Sequence, residues 1–164
     1  MTAAPRHHMY NSPPPHHEGN APLAALARIP AGRFILTASH EGVVAGRRIT
    51  WVQQCGSAPP SVSIALAKGE PISPLIRDSH CFGLCQVPPN DDFLWRAFHE
   101  PVDADHGVAV FPSLETFHLD STTPLLARSL AVLDCRVTMH LDFESDHELF
   151  IGEVVAARLT AEER

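Results

Sequence analysis

The sequence has 164 residues, of which 45% are hydrophobic and 19% are charged, and its formal net charge is -7. This length fits one domain, and the apolar content can form a core without disulfides or a structural metal. The acidic balance disfavours nucleic acid and anionic membranes as partners, because both select basic surfaces. No apolar run approaches the ~20 residues that a spanning helix needs, and no signal-peptide pattern is present, so we expect a cytoplasmic protein without a membrane segment.

Residues 1–28 are predicted to form a flexible N-terminal arm, and residues 29–164 the folded domain. The arm contains "RHHMYNSPPPHHEGNAP", which is rich in Pro and His and poor in aliphatic residues. Such a composition disfavours a packed core. Its histidines are only a compositional hint of metal binding, so no metal site is assigned.

The segment from residue 33 to residue 87 is predicted to contain strands and turns around one short helix. Strand-forming residues bounded by Gly and Pro predict strands at 33–39, 47–55, 61–67 and 81–87 and a helix at 74–80. Four cysteines (Cys55, Cys81, Cys85 and Cys135) lie in strand-like segments without the paired spacing of zinc sites. They are predicted to be buried free thiols of a reducing compartment.

The second half of the chain predicts a helix, a loop and a long β-hairpin. Residues 91–100 have apolar residues at helical spacing, and 101–123 is mainly polar loop material. Residues 129–143 and 147–160 are predicted to be two long strands joined by "ESD". Six or more mostly antiparallel strands with a few short helices indicate a mainly β fold, a β-barrel with short helices.

The predicted strand 47–55, "RRITWVQQC", has an unusual set of polar residues around a tryptophan. Alternation along a strand would place Arg48 and Thr50 on one face, and a guanidinium beside a hydroxyl can bind a phosphate. The alternative is a solvated edge strand with Trp51 packed in the core. The spacing alone leaves both interpretations open.

Four segments in order resemble the flavin reductase-like family, the FMN-binding split barrels. They are "GRRITWVQQCGSAPPSVSIAL", "KGEPISPLIRDSHCFGLCQV", "LLARSLAVLDCRV" and "SDHELFIGEV". The resemblance covers the chain from about residue 30 to its end. It implies a flavin, FMN or alternatively FAD, in a groove of a homodimer, with NAD(P)H as co-substrate.

The resemblance also implies which residues contact the flavin. The implied cofactor-binding residues are Arg48, Thr50, Trp51, Val52, Gln53, Gln54, Lys68, Ser73 and Cys85. Lys68 and Ser73 fall in the loop that usually contacts the phosphate. The chain departs from the family pattern at Arg48, where Thr is usual, at Cys85, where Asn is frequent, and at Ser145, where Gly is usual.

His147 is the implied catalytic residue, because it matches the family histidine that lines the exposed face of the flavin. There it would orient the nicotinamide, and an imidazole with a pKa near neutrality can donate a hydrogen bond to the ligand. The alternative is a turn histidine bonded to its own hairpin. His140 and Asp142 on the preceding strand are predicted to be structural or solvated.

The first functional hypothesis is an enzyme, an NAD(P)H-dependent flavin reductase that passes hydride to FMN. Its reduced flavin would supply a flavin-dependent monooxygenase or another acceptor. The second hypothesis is a non-catalytic FMN-binding module, such as a flavin store, redox sensor or electron carrier. A third is a family member that has lost flavin and serves as an oligomeric scaffold.

Overall fold

The computed structural model describes residues 21–99 and 111–160. The chain divides into two compact units, residues 1–30 and residues 31–164. In the first unit the described residues contain helix α1 (Ala21–Leu26), whose side chains are all exposed. Most of the predicted arm, residues 1–20, and residues 101–110 of the predicted loop lie outside the described residues.

The second unit is built mainly from strands. The strands are β1 (Phe34–His40), β2 (Val43–Ile49), β3 (Val52–Ser57), β4 (Pro60–Ala67), β5 (Cys81–Gln86), β6 (Thr116–Phe117), β7 (Leu125–Leu126), β8 (Ala131–Asp142) and β9 (His147–Leu159). Two α-helices, α2 (Ile72–Ser79) and α3 (Asp92–Ala97), and one turn of 3-10 helix (Phe111–Ser113) complete the described elements. The prediction of a mainly β fold with short helices is confirmed.

Seven of the strands form one antiparallel sheet in the order β2-β1-β5-β8-β9-β4-β3. The two edge strands, β2 and β3, are consecutive in the chain and are joined only by Thr50 and Trp51. A link this short holds the two edges of the sheet close together, so the twisted sheet must curl into a barrel. No ladder joins β2 to β3 in the described sheet, and the barrel is therefore open along that seam.

The prediction of one continuous strand over residues 47–55 is wrong. Thr50 and Trp51 form a corner, with the Val52 amide donating to the Thr50 carbonyl at 3.0 Å and the Ala65 amide donating to the Trp51 carbonyl at 3.1 Å. The chain changes neighbours there, because β2 pairs with β1 and β3 pairs with β4. The simple alternation of faces predicted from Arg48 to Gln54 does not continue through the corner.

Two hydrophobic cores lie on opposite faces of the sheet, because successive side chains of a strand point to opposite sides. The inner core contains Leu36 and Phe82 and is covered by Ile72 and Ile76 of α2. The outer core contains Ile35, Cys85 and Val132 together with Leu94 and Phe98 of α3 and its C-terminal end. The β6–β7 hairpin adds Leu125 and Leu126 to this outer core.

The long hairpin of β8 and β9 confirms the predicted pair of strands. Close packing in its middle requires glycine at position 152, because a Cβ there would lie 2.6 Å from the Phe82 ring. Both Gly152 and Phe82 belong to the buried interior. The backbone of β9 therefore approaches the inner core more closely than any other residue type would allow.

The cysteines are free, as predicted, but not all are buried. Cys85 and Cys135 are buried, Cys81 is half-buried and Cys55 is exposed on β3. The prediction that Cys55 is buried is wrong, because β3 is an edge strand and Cys55 lies on its exposed side. Within residues 21–99 and 111–160, no helix is long and apolar enough to cross a membrane.

Candidate functional site

A small cleft lies at the seam of the barrel, where the Thr50–Trp51 corner faces the end of β4 and the start of β9. Its volume is about 150 Å³, and its walls include Arg47, Arg48, Thr50, Trp51 and His147. The end of β4 forms its floor. Four of the residues that were predicted from the resemblance therefore line one cleft: Arg48, Thr50, Trp51 and His147.

His147 and Trp51 form an aromatic wall of this cleft. Their ring centroids are 4.5 Å apart and their planes are tilted by 34°. His147 Nδ1 lies 2.8 Å from Asp146 Oδ1, and a carboxylate only accepts hydrogen bonds, so the proton on Nδ1 is the donor. This bond holds the pKa of Asp146 below its ordinary value. Nε2 of His147 has no hydrogen-bond partner among the described residues.

The positive charge of the cleft comes from two adjacent arginines. Arg47 pairs with Glu70, and burial, followed by repulsion from Arg48, lowers the pKa of the Arg47 guanidinium. Arg48 has no carboxylate partner among the described residues, and its guanidinium lies 5.3 Å from the Trp95 ring centroid. Arg48 and Thr50 both line the cleft, and a cation without a carboxylate partner makes this end of the cleft suited to an anion.

Arg47 was missed by the sequence reasoning, because regular alternation would have placed it on the face opposite Arg48. Both arginines line the cleft, since the chain turns at the corner directly after Ile49. The only feature of the sequence that pointed to a role for Arg47 was its position next to Arg48 near the end of a predicted strand. Two adjacent arginines are also common on a strand that is exposed to solvent, so this feature did not decide between the two interpretations.

Six of the predicted cofactor-binding residues do not line the cleft, and three of them bond to partners elsewhere in the fold. Lys68 Nζ donates to the Phe143 carbonyl at 2.7 Å and pairs with Asp142 at 2.6 Å. The buried Ser73 hydroxyl donates to Glu148. Cys85 accepts from the Leu126 amide at 3.3 Å inside the outer core, and burial raises its pKa to about 11.

The remaining three predicted residues follow the corner along β3. Val52 is half-buried against the inner core, whereas Gln53 and Gln54 are exposed. None of the three belongs to the wall of the small cleft. The exposed Gln53 and Gln54 form an open rim with Trp51, which is itself 58% exposed.

Behind the cleft, a buried carboxylate links the hairpin to helix α2. Glu148 accepts from Ser73 through one oxygen, and its other oxygen lies 2.7 Å from His140 Nε2. His140 also stacks on Phe150, with ring centroids 4.4 Å apart. These contacts give His140 a structural role, in agreement with its prediction.

An apolar surface, here called the outer face, lies on the solvent side of the hairpin next to the cleft. It comprises the exposed Met139, Leu141 and Phe143 of β8 and the following turn, with the half-buried Leu149 and Ile151 of β9. Met139 pairs across the strands with Ile151, and Leu141 pairs with Leu149. Leu149 is two residues from His147, so this face is continuous with the aromatic wall.

The sheet order and its open seam define a split barrel, as predicted. The flavin reductase like domain matches residues 26–164, and the chain belongs to this family. The resemblance found in the sequence is therefore confirmed.

Three proteins illustrate the similarity. Diflavin flavoprotein A 1 of Synechocystis is 29% identical over 142 residues, which cover 85% of this chain and 24% of that protein. The reductase component of 4-nitrophenol 4-monooxygenase/4-nitrocatechol 2-monooxygenase of Rhodococcus opacus is 30% identical over 128 residues, covering 78% of this chain and 65% of that protein. An NADH:FAD oxidoreductase structure from Streptomyces globisporus has a TM-score of 0.73 at 21% identity, covering 83% and 79% of the two chains. The chain spans about a quarter of the length of the diflavin relatives it matches.

Proposed function

We propose that this protein is an NAD(P)H-dependent flavin reductase that binds FMN. The observation that carries the proposal is the seam cleft, which is lined by Arg48 and Thr50 together with the Trp51–His147 wall. Membership of the flavin reductase like family supports it. When bound, flavin would supply the two-electron chemistry, because its ring accepts hydride from a nicotinamide.

The residues present fit the phosphate end of a flavin. Arg48 is free of carboxylate partners among the described residues, and a guanidinium with a neighbouring hydroxyl can bind a phosphate through charge-assisted hydrogen bonds. Arg47 adds positive charge that is partly offset by Glu70. FMN is favoured over FAD in this proposal because one terminal phosphate suits one uncompensated arginine.

The ring end of the flavin needs more room than the cleft offers. The cleft volume of about 150 Å³ is below the roughly 300–1,000 Å³ of ordinary ligand pockets. The exposed rim formed by Trp51, Gln53 and Gln54 would therefore carry the ring, with part of it uncovered by this chain. His147 Nε2 would bind the nicotinamide beside that rim, while Asp146 holds the Nδ1 proton.

A second copy of the chain is the proposed cover of the site. The outer face presents Met139, Leu141 and Phe143 to solvent directly beside the wall of the cleft. A two-fold homodimer that buries this face would also enclose the open rim. The adjacent, unpaired edges of β2 and β3 give a further reason for association, because bare edges invite pairing.

The acceptor of the reduced flavin, the location of the protein and the residues that carry the activity are also proposed. Its reduced flavin would pass to a flavin-dependent monooxygenase or another acceptor, as the name of the Rhodococcus relative suggests for that protein. A cytoplasmic location is supported by four free cysteines. Residues 29–164 would carry the activity, with residues 1–28 as an arm that it does not require.

The alternative is a non-catalytic FMN-binding module. It is favoured by the contacts of the His147 ring, which already bonds to Asp146 and packs against Trp51 at a tilt. These contacts are also what a purely structural turn histidine would make.

One experiment separates the two functions. Purified full-length protein would be titrated with FMN and then assayed anaerobically for oxidation of NADH and of NADPH. Saturable FMN binding with steady turnover supports the reductase, and tight binding without turnover supports the module. A protein that binds no flavin would contradict both.

A further inference from the structure

We propose that Lys68 is a positioning residue: it fastens the turn formed by residues 143–146 and thereby sets the position of His147 against Trp51. The inference deepens the proposed reductase function and rests on it. It assigns Lys68 to the hairpin instead of to a bound phosphate.

Lys68 makes three contacts with the hairpin turn and its flanking strand end. Its backbone amide donates to the Asp146 carbonyl at 2.9 Å. Its Nζ donates to the Phe143 carbonyl at 2.7 Å and pairs with Asp142 at 2.6 Å. One residue thus holds the segment at its beginning, through the side chain, and at its end, through the backbone.

The turn transmits this constraint directly to His147. Asp146, whose carbonyl is bonded to Lys68, also holds Nδ1 of His147 at 2.8 Å. Ala67, the residue before Lys68, is the register partner of His147 between β4 and β9. A loosened turn would therefore free both the backbone and the side-chain bond that orient the imidazole.

The charge around Lys68 agrees with this role. Asp142 neutralises the ammonium group, and the hydrogen bond and charge of Lys68 hold the pKa of Asp142 below its ordinary value. A phosphate would have to compete with this carboxylate and with the Phe143 carbonyl. Arg48, in contrast, has no carboxylate partner among the described residues and lines the cleft. In this proposal Lys68 holds the hairpin turn, whereas Arg48 is the cation that binds an anionic ligand.

The test compares three variants of the full-length protein. Lys68→Met removes the ammonium group, Lys68→Arg retains a cation and donors, and Arg136→Met is the matched control. Arg136 also lies at an exposed position and pairs with a carboxylate, Asp120, at 3.4 Å, but it belongs to β8 away from the turn. FMN affinity, kcat, and the ring resonances of His147 in the ligand-free protein would be measured for each.

We expect Lys68→Met to shift the His147 resonances, to lower kcat by ~10-fold and to leave the FMN dissociation constant within about two-fold. Lys68→Arg should have a kcat and His147 resonances close to those of the wild type, because it keeps a cation and hydrogen-bond donors. Arg136→Met should resemble the wild type. Asp142→Asn, a milder change to the same contact, should move the His147 resonances in the same direction and serves if Lys68→Met does not fold.

Two results would overturn the inference. One is a Lys68→Met protein with unchanged His147 resonances and unchanged kcat. The other is a loss of FMN affinity of ~10-fold or more with unchanged resonances, which would make Lys68 a direct ligand contact. If the wild-type protein reduces no flavin, the proposed function fails, and the resonances of the ligand-free variants still decide the role of Lys68.

Discussion

Trp51 and His147 are both positioned by strand β4, although they come from opposite ends of the folded unit. The Ala65 amide donates to the Trp51 carbonyl at 3.1 Å, and Ala67 is the register partner of His147. The resulting ring contact has a centroid separation of 4.5 Å. Because one strand sets both backbones, the wall of the cleft depends on the register of β4.

The first prediction concerns the role of this histidine. His147→Ala should leave FMN affinity within a few-fold, because the proposed phosphate contacts come from β2 and the corner. The rate of NAD(P)H oxidation should fall by ~10–100-fold, on the order of 1.4–2.7 kcal/mol of transition-state stabilisation. Single-turnover kinetics would measure it, and a deletion of residues 1–20 is the control. Turnover at the wild-type rate would make His147 a turn residue without a part in the chemistry.

The second prediction concerns the phosphate. Arg48→Ala should weaken FMN by roughly 1.5–3 kcal/mol, because a charge-assisted hydrogen bond is lost, and should affect riboflavin much less. Arg33→Ala is a matched control, since Arg33 lies 4.8 Å from the same Trp95 ring but does not line the cleft. Calorimetric titration with both ligands would measure the difference. Equal losses for FMN and riboflavin would show that Arg48 does not contact the phosphate.

The third prediction concerns the outer face. Leu141→Asp should convert a homodimer into monomers of 17.9 kDa, because it places a charge in the proposed apolar interface. Leu159→Asp is the control, since Leu159 is 81% exposed at the far end of β9 and outside the outer face. Sedimentation analysis at micromolar concentration would give the masses. A wild-type protein that is already monomeric would refute the proposed dimer.

The fourth prediction concerns pH and the Lys68–Asp142 contact. The pKa of Asp142 is held below its ordinary value, mainly by its hydrogen bond with Lys68. A lowered pKa in the folded state means that the stabilisation is fully present above the unfolded pKa and is lost as the pH falls through the folded one. Urea unfolding of the wild type and of Asp142→Asn should therefore differ slightly at pH 6, and the difference should vanish as the pH falls through the lowered pKa of Asp142. A difference that persists at low pH would assign the effect to something other than this ionisation.

The fifth prediction concerns packing at Gly152. Gly152→Ala should lower the free energy of unfolding by ~1–3 kcal/mol, because its Cβ would lie 2.6 Å from the Phe82 ring. Adding Phe82→Leu should recover part of this loss if the ring is the cause. Denaturant midpoints of the two single variants and the double variant would test it. Strictly additive losses would mean that the two positions do not interact.

The parts of the fold that the sequence predicted are those with long, regular patterns. The β8–β9 hairpin was predicted because two long strand-forming segments flank a short polar turn, and α3 because its apolar residues lie at helical spacing. The structure adds that Asp91 caps α3, accepting from the Leu94 amide at 2.9 Å. The corner at Thr50 and Trp51 was not, since Ile49, Trp51 and Val52 favour a continuing strand. The bend is imposed by closure of the sheet. Strands β6 and β7 have two residues each, too few for any period to be recognised.

The site was predicted only in part for a similar reason. Arg48, Thr50, Trp51 and His147, four of the residues named from the resemblance, line one cleft, and their contacts with a flavin stay a prediction. Lys68, Ser73 and Cys85 bond to partners at least forty positions away in the chain: Asp142, Glu148 and Leu126. Local sequence contains no information about such partners, so it cannot tell whether a polar side chain is available to a ligand.

The cleft lies at the two-residue link between the edges of the sheet, so it forms only when the whole sheet is folded. Its two sides are neighbours in the chain, but their relative position is also set by the full path around the barrel, from β2 through β1, β5, β8, β9 and β4 to β3. A partly folded state that lacks any one of these strands would leave the seam splayed and the cleft unformed. A ligand that binds there selects the fully assembled sheet, and its binding free energy should stabilise all seven strands together.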